Sequence, residues 1–313
     1  MLGKRLRVGS PLVLSALATL VLQVLDLALL GPRPPGPQSS QVLQGISAAL
    51  AGLACLQASF RSTNFARSFW RFSAGGFFFW CAAQAFGTYR VYVATIYGPA
   101  TGPTLILFFF SFTPLFAVLF LSTSAGDRNR RWESYLDLLQ ILIVTGTIYL
   151  LFLYAPWWQL SDPEWVSRRA ATVNLRNLLL STGFIVRALT ARSISQRQLY
   201  TRVGTPISLY SLGFWLGKRG VSFWSVRLGS WFDLGWTLPF LLMVVLAEGW
   251  EENTTEKEPG RSSGYVPLVL AFLLTLSLPA AAAGLRVFRG PFSAIQTLLL
   301  AGALTAVIIC SFS

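Results

Sequence analysis

Long apolar segments dominate this sequence and limit what it can fold into. A helix that crosses the hydrocarbon core of a bilayer needs about 20 mostly apolar residues. Ten segments of the chain reach or approach that length. They are 11–30, 43–60, 72–95, 103–123, 136–155, 171–191, 203–217, 229–249, 265–285 and 292–311. The sequence therefore predicts an all-α fold, a polytopic transmembrane helix bundle of about ten helices.

The composition excludes the water-soluble alternatives. Of the 313 residues, 54% are apolar and only 12% are charged, and that charged share is about half of what soluble domains carry. A soluble fold of this size would lack the polar surface to cover itself. The disordered, collagen-like and disulfide-scaffold classes are excluded on the same grounds.

The basic residues carry information about topology. The chain has 25 Lys and Arg against 12 Asp and Glu, a formal net charge of +13. They are scattered between the apolar segments and form no single stripe, which excludes nucleic acid as a partner. With the N-terminus inside, 14 of them fall in inside segments and 9 in outside segments. The positive-inside rule then predicts that both termini are cytoplasmic, although the bias is weaker over the last four helices.

The reactive residue types are few. The chain contains no histidine, and its three cysteines, Cys55, Cys81 and Cys310, lie inside apolar segments without C-x-x-C spacing. Histidine-based triads, zinc-histidine sites and histidine-ligated haem are therefore excluded. No phosphate-binding glycine loop or dinucleotide fingerprint occurs either. We expect no catalytic residues, no cofactor and no metal, so the chain is predicted not to be an enzyme.

The chain divides at one polar segment. Residues 1–249 are predicted to form an eight-helix membrane bundle, 250–264 a polar cytoplasmic linker, and 265–313 a C-terminal transmembrane helix pair. Asn253-Thr254-Thr255 matches the glycosylation pattern but lies on the predicted cytoplasmic side. No internal repeat is visible, so the inverted-repeat signature of many transporters is not supported.

The seventh segment leaves the helix count open. Only about 15 residues separate Arg202 from Lys218-Arg219, short of the length a span needs. The helix either is short or continues to Trp224 with Lys218 and Arg219 snorkelling to the interface. If it did not cross, nine spans would remain and the C-terminus would change sides.

A candidate polar pocket lies in the outer half of the bundle. Polar side chains in hydrocarbon need a partner or a water-lined cavity, and the sixth and eighth segments both carry charged groups at similar depth. The third segment adds a Trp and a Gln with i,i+4 spacing on one helix face. The pocket residues are Asn174, Arg176, Asn177, Asp233, Trp80 and Gln84. The alternative is that these residues are separate, water-exposed groups at helix ends. For Asp26 in the first segment, the sequence likewise allows two interpretations, a carboxylate at the membrane interface or a functional carboxylate.

Prolines, tryptophans and one glycine pair carry further expectations. Prolines inside apolar segments predict kinks or breaks, because proline lacks the backbone N–H and clashes with the preceding turn. They are Pro114, Pro206, Pro239 and Pro279. Tryptophans near predicted boundaries indicate an aromatic belt at the membrane interfaces. They are Trp157, Trp158, Trp165, Trp224, Trp231 and Trp250. Gly75-Gly76 predicts close helix packing.

Several short motifs occur in a recognisable order. They are Arg61…Arg67-x-Phe69-Trp70, Phe79-Trp80-x-x-x-Gln84, Phe112-x-Pro114-Leu115, Leu136-Asp137-Leu-Leu-Gln140 with Tyr149, Gln198-Leu199-Tyr200-x-Arg202, and Trp231-Phe232-Asp233-Leu-x-Trp236-x-x-Pro239-Phe240. Together they resemble the multi-span N-terminal membrane sensor region of bacterial diguanylate cyclases (GGDEF proteins) and related histidine kinases, over roughly residues 43–250. In such proteins a soluble catalytic domain follows the last helix, whereas this sequence holds no GGDEF motif, so the catalytic activity of the family does not carry over.

The sequence and the resemblance together favour a non-catalytic, multi-pass membrane sensory or signal-input module, located in the bacterial inner membrane and lacking a cytoplasmic output domain. The candidate partners are the lipid bilayer, a separate cytoplasmic signalling protein and a second copy of the chain. The alternative function is a small-solute transporter or permease. The predicted kinked helices and the intramembrane Arg176 and Asp233 favour this alternative.

Overall fold

The structure, a computed structural model, describes residues 9–94, 103–121, 163–191, 193–224 and 229–252. This part of the chain is all-helical, with 85% of its residues in helices and no strand, which confirms the all-α part of the prediction. The predicted spans 136–155, 265–285 and 292–311 lie outside the described residues, as do Pro279, Cys310 and most of the polar linker.

The described helices match seven of the predicted segments. They are α1 (Pro11–Leu29), α2 (Gly36–Phe60), α3 (Asn64–Tyr92), α4 (Pro103–Phe110), α5 (Thr113–Phe120), α6 (Pro163–Thr190), α7 (Ile194–Trp224), a short 3-10 helix (Trp231–Asp233) and α8 (Leu234–Glu248). By length and mean hydropathy, α1, α2 and the segment Trp231–Glu248 could each cross a membrane.

The boundaries of α1 follow from local chemistry. Ser10 precedes Pro11, and its hydroxyl accepts a hydrogen bond from the Val13 backbone N–H. This is an N-cap followed by proline at the first helical position. Gly31 adopts a left-handed backbone conformation (φ +58°), and its N–H bonds back to the Asp26 carbonyl. Glycine favours this C-terminal arrangement because it has no Cβ to clash.

The fourth predicted span, 103–123, is not one helix. It consists of α4 and α5, separated at Ser111-Phe112. Pro114 lies near the start of α5, where its missing N–H costs nothing, but it cannot continue the hydrogen-bond ladder of α4. The break expected at Pro114 is thus confirmed. Pro206 and Pro239, in contrast, lie inside α7 and α8, which continue through them.

The seventh helix is longer than its apolar core. α7 runs for 31 residues and ends at Trp224, which at 1.5 Å per residue is about 46 Å, longer than the hydrocarbon core. The longer alternative for this segment is therefore the observed one.

The bundle exposes many apolar side chains and buries several polar ones beside its apolar core. On α1, Leu14, Val21 and Leu22 are exposed, whereas Gln23 is 0% exposed and Asp26 is 8% exposed. Exposed apolar side chains also line α6 and α7, including Leu178 and Leu212. A water-soluble monomer rarely exposes so much apolar surface. The outer surface therefore suits lipid.

Contacts between sequence-distant segments define two ends. At one end, the α1–α2 loop lies against the start of the α8 segment, where Ser40 bonds to Asp233. At the other end, the α2–α3 turn lies against the end of α8, where Arg61 bonds to Glu248. We call these the carboxylate end and the arginine end. The start of α7 also lies at the arginine end, because Arg202 bonds to Leu246.

Candidate functional site

A pocket lies between α3, the α4–α5 break, α7 and α8. It is partly open, and its empty volume, open solvent included, is about 350 Å³. Its principal lining residues are Trp80, Phe112, Pro206, Tyr210, Pro239 and Phe240. We call it the aromatic pocket. The Trp80 and Phe240 ring centroids lie 4.5 Å apart, and those of Phe112 and Tyr210 lie 5.9 Å apart, within the usual range for aromatic pairs.

The pocket is placed where the helices are irregular. α4 and α5 break at Ser111-Phe112, and α7 and α8 contain Pro206 and Pro239 at the pocket wall. On α3, a Cβ at Gly76 would lie 2.8 Å from the Ser111 carbonyl oxygen. A glycine at position 76 thus permits close approach of α3 to the break, in line with the packing role expected of Gly75-Gly76. Because interrupted helices cannot pack regularly against each other, a gap remains between them, and this gap is the aromatic pocket.

Arg176 lies beside this pocket. Its guanidinium carbon is 3.8 Å from the centroid of the Phe112 ring, a cation–π contact. Its Nη1 donates to the Phe108 carbonyl at 3.2 Å, and its Nη2 donates to Asn177 Oδ1 at 3.1 Å. The Phe108 carbonyl also accepts from Ser111 Oγ at 2.8 Å. These two donors satisfy a carbonyl that the helix break frees from its usual partner.

Three of the predicted pocket residues therefore lie at or beside one cavity. Trp80 lines it, and Trp80 Nε1 donates to Tyr210 Oη at 3.3 Å. Arg176 and Asn177 lie behind Phe112, and Asn174 is half-buried one turn earlier on α6. Gln84, one turn beyond Trp80, instead donates to the Gln41 carbonyl on α2 at 3.3 Å.

Asp233 has partners of its own at the carboxylate end. Its Oδ2 accepts from Ser40 Oγ at 2.5 Å and from the Gly229 backbone N–H at 2.8 Å. The predicted grouping of Asp233 with Arg176 rested on equal depth. The hydrogen bonds instead connect Asp233 to α2 and Arg176 to α4. Ser40, which the sequence reading passed over, is the residue that holds Asp233.

The arginine end holds a second polar arrangement, which we call the arginine clamp. Arg61 Nη2 lies 3.1 Å from Glu248 Oε1 and 3.3 Å from the Ala247 carbonyl. Arg202 Nη1 donates to the Leu246 carbonyl at 2.6 Å. The last carbonyls of a helix have no partner within it and carry partial negative charge, so two arginines here satisfy and stabilise the end of α8.

Trp250 completes the clamp and corrects one prediction. The sequence indicates Trp250 as part of the interfacial belt, but its side chain is 1% exposed. Its Nε1 donates to Ser62 Oγ at 2.9 Å, and its ring lies 5.9 Å from that of Trp70. Arg202 lies 5.7 Å from the Trp250 centroid. Trp250 is thus a packing residue that holds the chain after α8 against α2 and α3.

Arg187 also lies at the arginine end. Its Nη2 donates to Tyr200 Oη at 3.0 Å and to the Leu121 carbonyl at 3.4 Å. It therefore connects α6 to α7 and to the end of α5. Among the described residues, no group of three or more Cys, Asp or Glu is placed to hold a metal ion.

No protein-family model matches this chain, and comparison with curated proteins and with solved structures finds no match. What the site can do therefore follows from its own geometry. The aromatic pocket offers stacking surfaces, the Tyr210 hydroxyl and a nearby guanidinium. These groups favour a small aromatic ligand.

Proposed function

We propose that this chain is a multi-pass membrane sensory or signal-input module that binds a small aromatic molecule in the aromatic pocket. In this proposal the bundle has about ten helices and lies in a bacterial inner membrane, with both termini in the cytoplasm. The proposal is non-catalytic. It assigns the output to a separate cytoplasmic signalling protein, and it includes a second copy of the chain as a candidate partner.

The observation that carries the proposal is the short path from the pocket to the arginine clamp. Pro206 lines the pocket, and Arg202, one turn earlier on α7, bonds to the last turn of α8. Pro239 and Phe240 line the pocket on α8, about two turns before Leu246. A ligand between α7 and α8 would therefore contact the two helices that the clamp joins and could change how they pack against each other. Such coupling requires that the ligand bind two arrangements of these helices with different affinity.

The exposed apolar surface supports the membrane part of the proposal. Within the described ranges, three helices are long and apolar enough to cross a bilayer. The arginine end collects Arg61, Arg67, Arg197 and Arg202. Over the whole sequence, the positive-inside count of 14 against 9 favours the side of these four residues as the cytoplasmic one.

The binding half of the proposal is tested with indole as the probe. The purified chain in detergent is heated with and without indole, and its unfolding midpoint is recorded. Ile207→Trp fills the pocket, and Leu209→Trp adds the same bulk to an exposed position of the same helix. We expect indole to raise the midpoint of the wild type and of Leu209→Trp but not of Ile207→Trp, since ligands stabilise only the state that binds them. Equal shifts in all three proteins would refute the pocket.

The signalling half is tested by a distance across the clamp. Spin labels are placed at Thr201→Cys and Glu251→Cys after the native cysteines are replaced. We expect indole to change the distance distribution in the wild-type background and to leave it unchanged with Ile207→Trp. A distribution that does not respond to bound indole would contradict a sensory role.

The transporter alternative is favoured by one observation, the buried Arg176 beside the pocket. A guanidinium there suits an aromatic carboxylate. Proteoliposomes loaded with the chain would then accumulate labelled benzoate, and Arg176→Ala would abolish the accumulation. Uptake of this kind would favour transport over sensing.

A further inference from the structure

Two buried carboxylates share one end of the bundle. Asp26 lies in the last turn of α1 and Asp233 in the 3-10 helix before α8, with exposures of 8% and 2%. Consecutive serines of α2 connect them. Ser39 Oγ donates to Asp26 Oδ1, and Ser40 Oγ donates to Asp233 Oδ2.

The hydrogen bonds of this carboxylate cluster leave only oxygens free. Gln23 uses its Nε2 to donate to Ser40 Oγ at 2.8 Å. Its Oε1 has no partner although Gln23 is 0% exposed, and Asp26 Oδ2 is likewise buried without a partner. The carboxylates of Asp26 and Asp233 form no salt bridge within the part of the chain that the structure describes. The cluster thus holds two carboxylates and a free amide oxygen with no counter-charge of its own there.

Each of these features is costly unless something positive binds. A buried ionised carboxylate without a counter-ion is strongly unfavourable, and so is an amide oxygen without a donor. The position of Asp26 adds to the cost, because the C-terminus of a helix repels negative charge. A hard cation with oxygen ligands removes all three penalties at once.

The ligand count favours a small monovalent ion. Calcium takes about 6–8 oxygens, more than Asp26 Oδ2, Gln23 Oε1 and the carboxylate of Asp233 supply. Sodium sites at interrupted or ended helices of membrane proteins use such mixed oxygen sets. Protonation would neutralise only one of the two carboxylates. Gln23 Oε1 would then have a partner only if that protonated carboxyl donated its hydrogen bond to it.

We propose that Asp26, Asp233 and Gln23 form a sodium-binding site at the carboxylate end. The site is separate from the aromatic pocket, so the sodium proposal is tested independently of the proposed sensory function. Sodium bound there holds α1, α2 and the start of α8 together.

The test measures the unfolding midpoint of the full-length chain in detergent. Sodium chloride is compared with choline chloride at the same ionic strength of about 0.15 M. We expect a higher midpoint in sodium, by several degrees, because an ion that binds only the folded state stabilises it. Asp26→Asn and Gln23→Leu remove ligands and should abolish the difference. Ser47→Ala is the control, since Ser47 is buried in α2 and, within the described part of the chain, its hydroxyl bonds only to the Leu43 carbonyl of its own helix.

Every outcome bears on the proposal. A sodium-specific shift that is lost in Asp26→Asn and kept in Ser47→Ala supports it. Equal midpoints in sodium and choline, a shift produced only by calcium, or stabilisation produced only by lower pH would each overturn it. If Asp26→Asn does not fold, binding of radioactive sodium to the wild type, displaced by unlabelled sodium but not by potassium, provides the same decision.

Discussion

The two ends of the bundle differ in whether a buried acid has a basic partner among the described residues. At the arginine end, Glu248 is 3% exposed and pairs with Arg61, which also caps the end of α8. At the carboxylate end, Asp26 and Asp233 receive only serine hydroxyls and one backbone N–H among the described residues. Both ends bury charge, but only one of them neutralises it from within the described chain.

The difference shows what each end is suited to do. Removing one partner of a buried ion pair leaves an uncompensated charge and destabilises the fold, whereas a buried charge without a partner makes the fold sensitive to its surroundings. The arginine end therefore holds its own counter-charge, and the proposed sodium site would make the carboxylate end sensitive to ions. The aromatic pocket lies between them, about midway along α8 between Asp233 and Leu246.

The largest effect is expected from breaking the clamp. Arg61→Ala leaves Glu248 buried without its counter-ion and the end of α8 without a cap, so the free energy of unfolding in detergent should fall by about 3 kcal/mol. Arg67→Ala serves as control, because Arg67 is exposed and its side chain, among the described residues, donates to the Ser62 carbonyl and to no acid. Similar losses in both variants would show that the clamp has no special role.

Two glycine substitutions compare packing near the two ends. A Cβ at Gly204, near the clamp, would lie 2.8 Å from Phe184 Cβ, whereas a Cβ at Gly235, near the carboxylate end, would lie 3.6 Å from its nearest neighbour, Gly213 Cα. Gly204→Ala should therefore lower the free energy of unfolding by about 2 kcal/mol through overpacking. Gly235→Ala should raise it by up to about 1 kcal/mol, because alanine favours the helix. Chemical denaturation of both variants checks the difference in sign.

Neutralising one acid at each end should also give opposite signs. In sodium-free buffer, Asp26→Asn removes an uncompensated charge from the end of α1 and should raise stability by about 1 kcal/mol. Glu248→Gln removes the partner of Arg61 and should lower stability. Thermal unfolding in choline chloride measures both, and a loss in Asp26→Asn would contradict the contrast between the ends.

The smallest effect concerns two tryptophans. Trp250→Phe removes the hydrogen bond to Ser62 and should cost about 1 kcal/mol. Trp231, at the carboxylate end, is 57% exposed, so Trp231→Phe should leave the unfolding midpoint unchanged. Equal shifts would indicate that Trp250 contributes only interfacial surface.

Local sequence signals predicted part of the helix pattern. The predicted span 11–30 agrees with α1, and the break expected at Pro114 separates α4 from α5, whereas α2, α3, α6 and α7 begin before their predicted spans. The proline signal works because proline geometry acts on its neighbours in the chain, whereas polar first turns lie outside an apolar segment.

Pairings around the bundle could not be predicted in the same way. Depth along the membrane normal put Asp233 beside Arg176, but depth does not tell which helices are neighbours. The partner of Asp233 is Ser40, 193 residues away. The sequence likewise indicated no partner for Arg61 or Arg202. They bind free carbonyls at the end of α8, and such carbonyls leave no pattern in the sequence.

The central claim is that the bundle crosses the membrane with the arginine end in the cytoplasm and the carboxylate end on the opposite side. Single cysteines at two exposed positions, Arg33→Cys at the carboxylate end and Thr201→Cys at the arginine end, test it in a background without the native cysteines. With a membrane-impermeant maleimide, we predict labelling of Arg33→Cys in intact cells and of Thr201→Cys only after the membrane is opened. Labelling of both positions from the same side would contradict the account.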